Sequence, residues 1–506
     1  MHVEIQYQGE PTDFGWLLPL PVVPTDENNV MKPLEEVLFV STAALFNSLQ
    51  SATNPEYRVN NRFEDEHCDS DEDGFLASPG NIQDAAVSGE SGGAPPPVVV
   101  LQEAEIGPFG AQLIQAQDTD TLYTWLEENG YVQDEAAKPI LKNYIEMNYV
   151  FLGLKLLSGK ETGDIVPVEL RLGDTDSCIP LTLTSIAASE NMPILVWVLG
   201  DHRAIPKNFL HAVINPRAVS WPGAANYLEV ITAAVDSVAG HAFVTEYASN
   251  EKLFDGRFWN EEMTTAKESV EGADTLKDML PALKSWNGST DPDLIPLLQA
   301  SVTMPADLKG YPHGDCYYGG GGSYYDGYGG FAGEYYNFCE PDEEHVTTTA
   351  EFYSYLGYWV EKLEEGQIEI QADIPALKAA LLAGYFLPRE HIQDMFDGAE
   401  WVSRFFTTVS PDEMNRDPIF MFNPELEAVS HIHTLDTVVR LLDDCETWQT
   451  EATYPDGGVY IFPCEQWRCM DLRTVGPVAE APPLLGVEVL DEEGEAQRFD
   501  PEEVIP

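Results

Sequence analysis

Residues 193–248 read PILVWVL-GDHRAIPK-NFLHAVI-NPRAVSWPGA-ANYLEVITAAVDSVAG-HAFVTEYA, and this stretch decides the fold class. Pro193 to Leu199 is an unbroken apolar run of strand length, and 208–214 is a second strand rich in apolar residues. Residues 225–239 space their apolar side chains as a helix does, Gly240 stops it, and 241–248 returns as a strand. Working outward, 147–157 is a strongly apolar strand, and further strands are expected near 165–172 and 179–185. Strands outnumber helices and most connections are short, so the expected class is mixed α+β rather than repeated βαβ winding.

Towards the N-terminus, residues 2–24 read as two strands joined by a turn. In the second, Phe14, Trp16 and Leu18 share a face before Pro19, Pro21 and Pro24 end the ladder. Pro33 to Leu49 is predicted as one helix, with Leu34, Val37, Leu38, Ala44, Leu45 and Leu49 as its apolar face. Residues 51–97 collapse into Asp, Glu, Ser, Gly and Pro and read as an acidic low-complexity insertion. A strand-rich α+β domain is therefore expected over 1–50 and 98–250. It would be followed by a helical segment at 255–309, a Gly/Tyr-rich loop at 310–340 and a helix-rich region at 341–474 with a capping strand at 401–408. Ser410-Pro411-Asp412-Glu413 has the form of a capping box with proline at the first helical position. Residues 475–506 read as a loosely held acidic, Pro-rich tail.

The chain has 506 residues, with 26 Lys+Arg against 86 Asp+Glu and a formal net charge of −60. Nucleic acid is excluded as a partner, because phosphate backbones are bound by displacing counterions with Lys and Arg. No stretch approaches the roughly 20 apolar residues of a membrane-spanning helix. The opening Met-His-Val-Glu-Ile alternates as a strand does, so the chain reads as though its true start lies further upstream. Self-repulsion at this charge destabilises a compact state and is relieved by screening. The melting temperature should therefore be higher in molar salt than in dilute buffer; a flat response in a thermal scan would sink this expectation.

Several landmarks together resemble an uncharacterised bacterial family, domain of unknown function 2330 (DUF2330). They are Phe14-Gly15-Trp16-Leu17-Leu18-Pro19-Leu20-Pro21, Ile106-Gly107-Pro108-Phe109 and Trp125-Leu126-Glu127-Glu128-Asn129-Gly130-Tyr131, then Phe151 to Leu156 with Lys155. A second set comprises Arg404, Ser410 to Met414, and Asp417-Pro418-Ile419-Phe420. The resemblance covers about 3–250 and 346–436. It implies an exported envelope protein with an N-terminal signal and an early cysteine-containing segment, both missing here. It implies no activity and no catalytic residue.

Motifs with chemistry are few. Asp69-Ser70-Asp71-Glu72-Asp73-Gly74 matches the opening of a calcium loop, in which alternate carboxylates converge on one cation. Gly80 stands where the bidentate glutamate would be, and an acidic solvated loop is the plainer reading. Calcium is thus the one cofactor nominated, at Asp69, Asp71 and Asp73. His431 and His433 would share a strand face near Asp436, but zinc would need a further ligand such as Cys445. Of the seven cysteines, Cys316 and Cys339 bracket the Gly/Tyr loop, which suits a disulfide in an oxidising compartment. Reduced thiols in a cytoplasmic protein are the alternative.

Enzyme signatures fail on context. Gly89-Glu90-Ser91-Gly92-Gly93 lies in the acidic insertion, without the strand and helix of a nucleophile elbow. Ser158-Gly159-Lys160-Glu161 lacks the glycine and hydroxyl of a phosphate loop. The expected function is a non-catalytic exported binding or structural protein of a bacterial envelope or surface, with a protein or glycan partner and loosely held divalent cations. The alternative is a hydrolase whose carboxylate or metal centre is assembled from residues distant in sequence.

Overall fold

The computed structural model describes the chain except residues 5–6, 8–9, 11–13, 65–97, 132–134, 174–176, 311, 313–315, 319–336, 340–344, 442–447, 465–474, 490–496 and 500–506. Asp69, Asp71 and Asp73, most of the Gly/Tyr tract, and Cys68, Cys445 and Cys469 lie outside the described residues. The protein is α+β, as expected, with a strand-rich N-terminal half and helices concentrated after residue 255.

In chain order, β1 is Gly15–Leu20, α1 Ala43–Thr53, β2 Glu56–Glu64, β3 Val98–Ile106 and β4 Phe109–Ala116. The helices α2 Thr119–Glu128 and α3 Ala137–Glu146 precede β5 Val150–Leu156 and β6 Met192–Gly200. Then come β7 Leu210–Ile214, α4 Tyr227–Asp236 and β8 Ala242–Ser249. Six strands pair as β6-β9-β8-β7-β13 and Gln497–Phe499, where β9 is Trp401–Val409 and β13 Leu484–Val489. The strands β7 and β8 are parallel, and α4 crosses between them. Alternation explains its two covered faces. Ala242 and Val244 meet Ile231, Ala234 and Val235 of α4, while Phe243 turns the other way onto Phe209, Phe405 and Phe420.

The strands β8 and β9 are neighbours in that sheet although all of 250–400 lies between them in sequence. Most of the helices form an excursion between them. Phe352, Trp359, Leu377, Leu381 and Phe386 are at most 2% exposed there and form a core of their own.

A second sheet, ordered β1-β5-β4-β3, is covered on both faces. Val150, Leu152 and Leu154 enter one core and Phe151 the other, beneath α2 and α3. Pro19 sits in β1 at the sheet edge, where a missing N–H costs no ladder bond. A third sheet joins β2 to β10 (Ile432–Leu441) in parallel over nine residue pairs, then to β11 (Trp448–Thr453) and β12 (Val459–Cys464).

Several expectations are corrected. Pro33 to Leu49 is not one helix: a 3-10 turn at Leu34–Glu36 and a strand at Leu38–Val40 precede α1. The run Val37-Leu38-Phe39-Val40 favours a strand, and Thr42 caps α1 by accepting from the Ala44 N–H. The insertion begins later than composition suggests, because 56–64 is β2, with Tyr57 inward and charged Glu56 and Arg58 outward. Residues 181–184 form one helical turn after Pro180, not a strand. Ser410 starts a turn that no helix continues: Glu413 accepts from the Ser410 N–H, while the Ser410 hydroxyl serves Asn191. The region 401–464 is mainly strand among its described residues, and 484–489, inside the expected tail, is β13, which pairs with β7.

Candidate functional site

The N-terminal landmarks meet around Tyr131, which is fully buried. The helix α2 ends at Asn129, where Gly130 takes a left-handed φ of +71°. The Tyr131 N–H then returns to the Leu126 carbonyl at 2.8 Å. This cap swings the tyrosine over the β1-β5-β4 sheet. Two glycines make room for it. A Cβ on Gly153 would stand 2.6 Å from the Tyr131 hydroxyl, and one on Gly15 would stand 3.2 Å from its ring. Trp125 stacks on the ring at 6.0 Å. The Lys155 Nζ lies 4.9 Å from the same ring's centroid while donating to the Asn129 carbonyl, close enough for the cation to feel the ring's negative face. The Tyr131 hydroxyl donates to Gln112 at 3.3 Å, and Gln112 donates to Glu103 at 2.6 Å. Burial lowers the Lys155 pKa and raises that of Tyr131.

The remaining landmark residues do other work. Phe14 is buried against Phe109, and Trp16 packs on the same core. Gly107 and Pro108 form the two-residue turn between β3 and β4, and Pro21 follows the end of β1.

A second cluster is centred on Arg404, which is 5% exposed. Its Nε donates to Glu246 Oε2 at 2.7 Å, and its Nη1 donates to Thr53 at 3.2 Å and Asn54 at 2.6 Å. The other Glu246 oxygen accepts from Tyr227 at 2.7 Å. The Trp197 indole N–H donates to Thr53 at 3.0 Å, and the guanidinium stands 5.5 Å from the Trp197 ring. Burial pushes the Glu246 carboxyl above its usual range against the pull of Arg404, and pushes Tyr227 well up. One network thus joins α1, α4, β6, β8 and β9.

Asp417 is a third tie. Its Oδ2 accepts from the Tyr144 hydroxyl at 2.6 Å, and its Oδ1 accepts from the Thr182 N–H and hydroxyl at 2.8 and 2.7 Å. Sequence reading missed two further ties, one inside the helical excursion and one that attaches it to the N-terminal half. Arg389 donates to Asp291 and Asp293 at 2.8 and 2.9 Å, and His391 Nδ1 lies 2.9 Å from Glu169. Burial alone would raise the Glu169 pKa, but hydrogen bonds from His391 and Arg171 outweigh it and hold it at about 2.

His431, just before β10, and His433, within it, are not gathered with carboxylates into a metal site. His433 stacks on Tyr57 at 4.7 Å, and His431 meets the Tyr247 ring edge-on at 5.4 Å. Burial, then His431, lower the His433 pKa. Among the described residues no group of three His, Cys, Asp or Glu side chains could hold a metal, and no helix is long and apolar enough to cross a membrane. An open cleft of about 730 Å³ lies elsewhere, in the helical excursion, lined by Asp274, Ser301, Thr303, Gln371 and Asp373 among others.

Comparison with known proteins bears on the N-terminal half. Residues 1–255 match the family described as an uncharacterized protein conserved in bacteria, DUF2330. No curated protein and no solved structure matches the chain. The matched span holds the whole Tyr131 platform, and Arg404 and Asp417, beyond it, reach back to bond residues within it. With the match covering half of the sequence, the chain belongs to this bacterial DUF2330 family.

Proposed function

We propose that this protein is a non-catalytic binding or structural protein, exported to a bacterial cell envelope or surface and stapled there by a Cys316–Cys339 disulfide. The observation that carries the reading is backbone register. Cys316–Tyr318 and Asn337–Cys339 pair antiparallel with Cys316 directly opposite Cys339. Directly opposed residues of an antiparallel pair hold their Cα atoms about 4.5–5.5 Å apart, within the roughly 4.4–6.8 Å that a disulfide spans. A bridge there suits an oxidising compartment. The non-catalytic part is supported by how the buried carboxylates are used. A hydrolytic acid or base needs a proton site open to substrate. Glu246, Glu169 and Asp417 instead engage arginine, histidine, tyrosine or threonine side chains of the same chain through both oxygens. Calcium at Asp69, Asp71 and Asp73 belongs to the same proposal, as does a surface protein or glycan as partner.

The test is the intact mass of the whole chain without reductant, repeated after a chelator. The expected result is a deficit of the hydrogens lost to at least one disulfide, with peptide mapping linking Cys316 to Cys339, and an excess mass that the chelator removes. A full set of free thiols would overturn the export reading, and a chelator-insensitive mass would overturn calcium.

A further inference from the structure

Two histidines stand where the third sheet meets the central one. The strand β10 places His433 opposite Tyr57 of β2, and the His431 carbonyl, just before it, accepts from the Glu56 N–H at 2.7 Å. Two residues earlier, Val429 and Ala248 of β8 exchange both backbone hydrogen bonds, at 2.7 and 2.9 Å, which ties the same segment to the central sheet. Tyr57, the ring on which His433 stacks, meets Trp221 at 4.9 Å and Tyr227 of α4 at 5.6 Å, in a core that Val230 and Leu435 share. Neither imidazole has an acid to hold its proton. The titratable groups that face the pair are Tyr57 from β2, Tyr227 from α4 and Tyr247 from β8, and burial pushes all three up, so they stay neutral in acid. The carboxylates on or beside these elements serve other groups. Glu246 engages Tyr227 and Arg404, Asp456 engages Arg217, Asp436 accepts from Asn60, Glu56 pairs with Arg58, and exposed Glu251 acts on Tyr247.

We propose that His431 and His433 form an acid-sensitive catch: when the imidazoles take up protons, the seam between β2 and β10 loosens and the third sheet comes away from Trp221 and α4. Histidine is the side chain whose charge changes in mild acid, and clusters of it are used to flip packed surfaces. Burial disfavours a charge on His433, and a charge on His431 two residues away disfavours it further. A base held below its ordinary 6.5 binds more protons unfolded than folded. The stability of the seam is therefore full above about pH 6.5 and is lost as the pH falls below that value. His2, which burial lowers to about 4, acts with the same sign, but it sits in the small sheet with Val168–Leu170, away from this seam. Release uncovers Tyr57 and Leu435, both buried in the closed state.

The test is hydrogen exchange of the full chain at about pH 7 and about pH 5, with each rate divided by the intrinsic rate at that pH so that only opening is compared. In the wild type, 56–64 and 432–441 are expected to open about tenfold more readily at the lower pH relative to Val150–Leu156 of β5, the change that one unit of pKa lowering gives. His433→Phe keeps a ring on Tyr57 and cannot take up a proton. It should hold its protection at neutral pH and lose the extra opening in acid. If His433→Phe already opens at neutral pH, His433→Gln, which stays polar without titrating, carries the comparison. Acid opening that is equal at the seam and in β5 would make the sensitivity a property of the whole fold and overturn the proposal. So would an extra opening of the seam that survives the substitution. The exchange ratio reports on the seam alone and the disulfide count on export alone, so either can fail without the other.

Discussion

Arg404→Ala is expected to destabilise the fold by about 3–5 kcal/mol, the cost of leaving one member of a buried ion pair without its partner. Glu246 is 3% exposed, so water cannot replace the lost guanidinium, and Thr53 and Asn54 lose a donor as well. Glu246→Gln should cost less, because its amide oxygen can still accept from Arg404 or from Tyr227. The informative variant is the double Arg404→Met, Glu246→Leu, which removes both charges and keeps much of the volume. It should recover a large part of the single-mutant loss, since replacing a whole buried pair with apolar side chains is often neutral. Urea melts of the three variants measure this. A loss under about 1 kcal/mol for Arg404→Ala, the scale of an exposed pair, would mean that the network is open to solvent. The prediction also separates stability from chemistry: if Arg404 served only a ligand, its loss would leave the melt untouched.

Asp417→Ala should cost about 2–4 kcal/mol, because it strands the buried Tyr144 hydroxyl and removes two bonds from Thr182. Asp417→Asn separates the two halves of the tie. Its carbonyl oxygen can still accept from Thr182, and its amide can donate to a Tyr144 hydroxyl that turns from donor to acceptor. Asn should therefore recover much of what Ala loses, whereas a residue acting by charge would behave alike in both variants. Hydrogen exchange gives the local readout: α3 and the turn Leu181–Thr184 should lose protection before the distant helical excursion does. Uniform loss of protection across the chain would count against a local tie.

Much of the secondary structure was legible because it depends on local pattern. The strand–helix–strand run 208–248 appears nearly where apolar periodicity sets it, and the hairpin around Gly107-Pro108 forms between two alternating runs. Misreadings cluster where two local signals compete. Leu34, Val37, Leu38 and Leu45 have helical spacing, but the Leu38–Val40 run prefers an extended backbone and pairs with Val168–Leu170. Acidic composition hid β2, because a strand with one wet face can carry charges there and still bury Tyr57 on the other.

Of the candidate site, the landmark residues were visible as motifs, but their partners were not. One signal was available: Glu246 is the lone charge in an otherwise uncharged strand, and Arg404 is the lone charge, of opposite sign, in another. A buried charge needs a partner, so two such strands point to each other. The pairs Arg389 with Asp291 and Asp293, and His391 with Glu169, gave no such signal, because one acid among 86 cannot be singled out by sequence.

The sequence by itself determined the α+β class, the strongly acidic balance of −60, and the landmark residues of the family, since composition and short-range periodicity are properties of neighbours along the chain. Only the tertiary structure decided that the helices are an excursion between adjacent strands, that 484–489 completes the central sheet, and that Arg404 and Asp417 close onto the matched half. Those outcomes turn on pairings between segments far apart along the chain. Their register is set by burial of whole faces and by the need of every buried charge for a partner, and no local window contains either constraint.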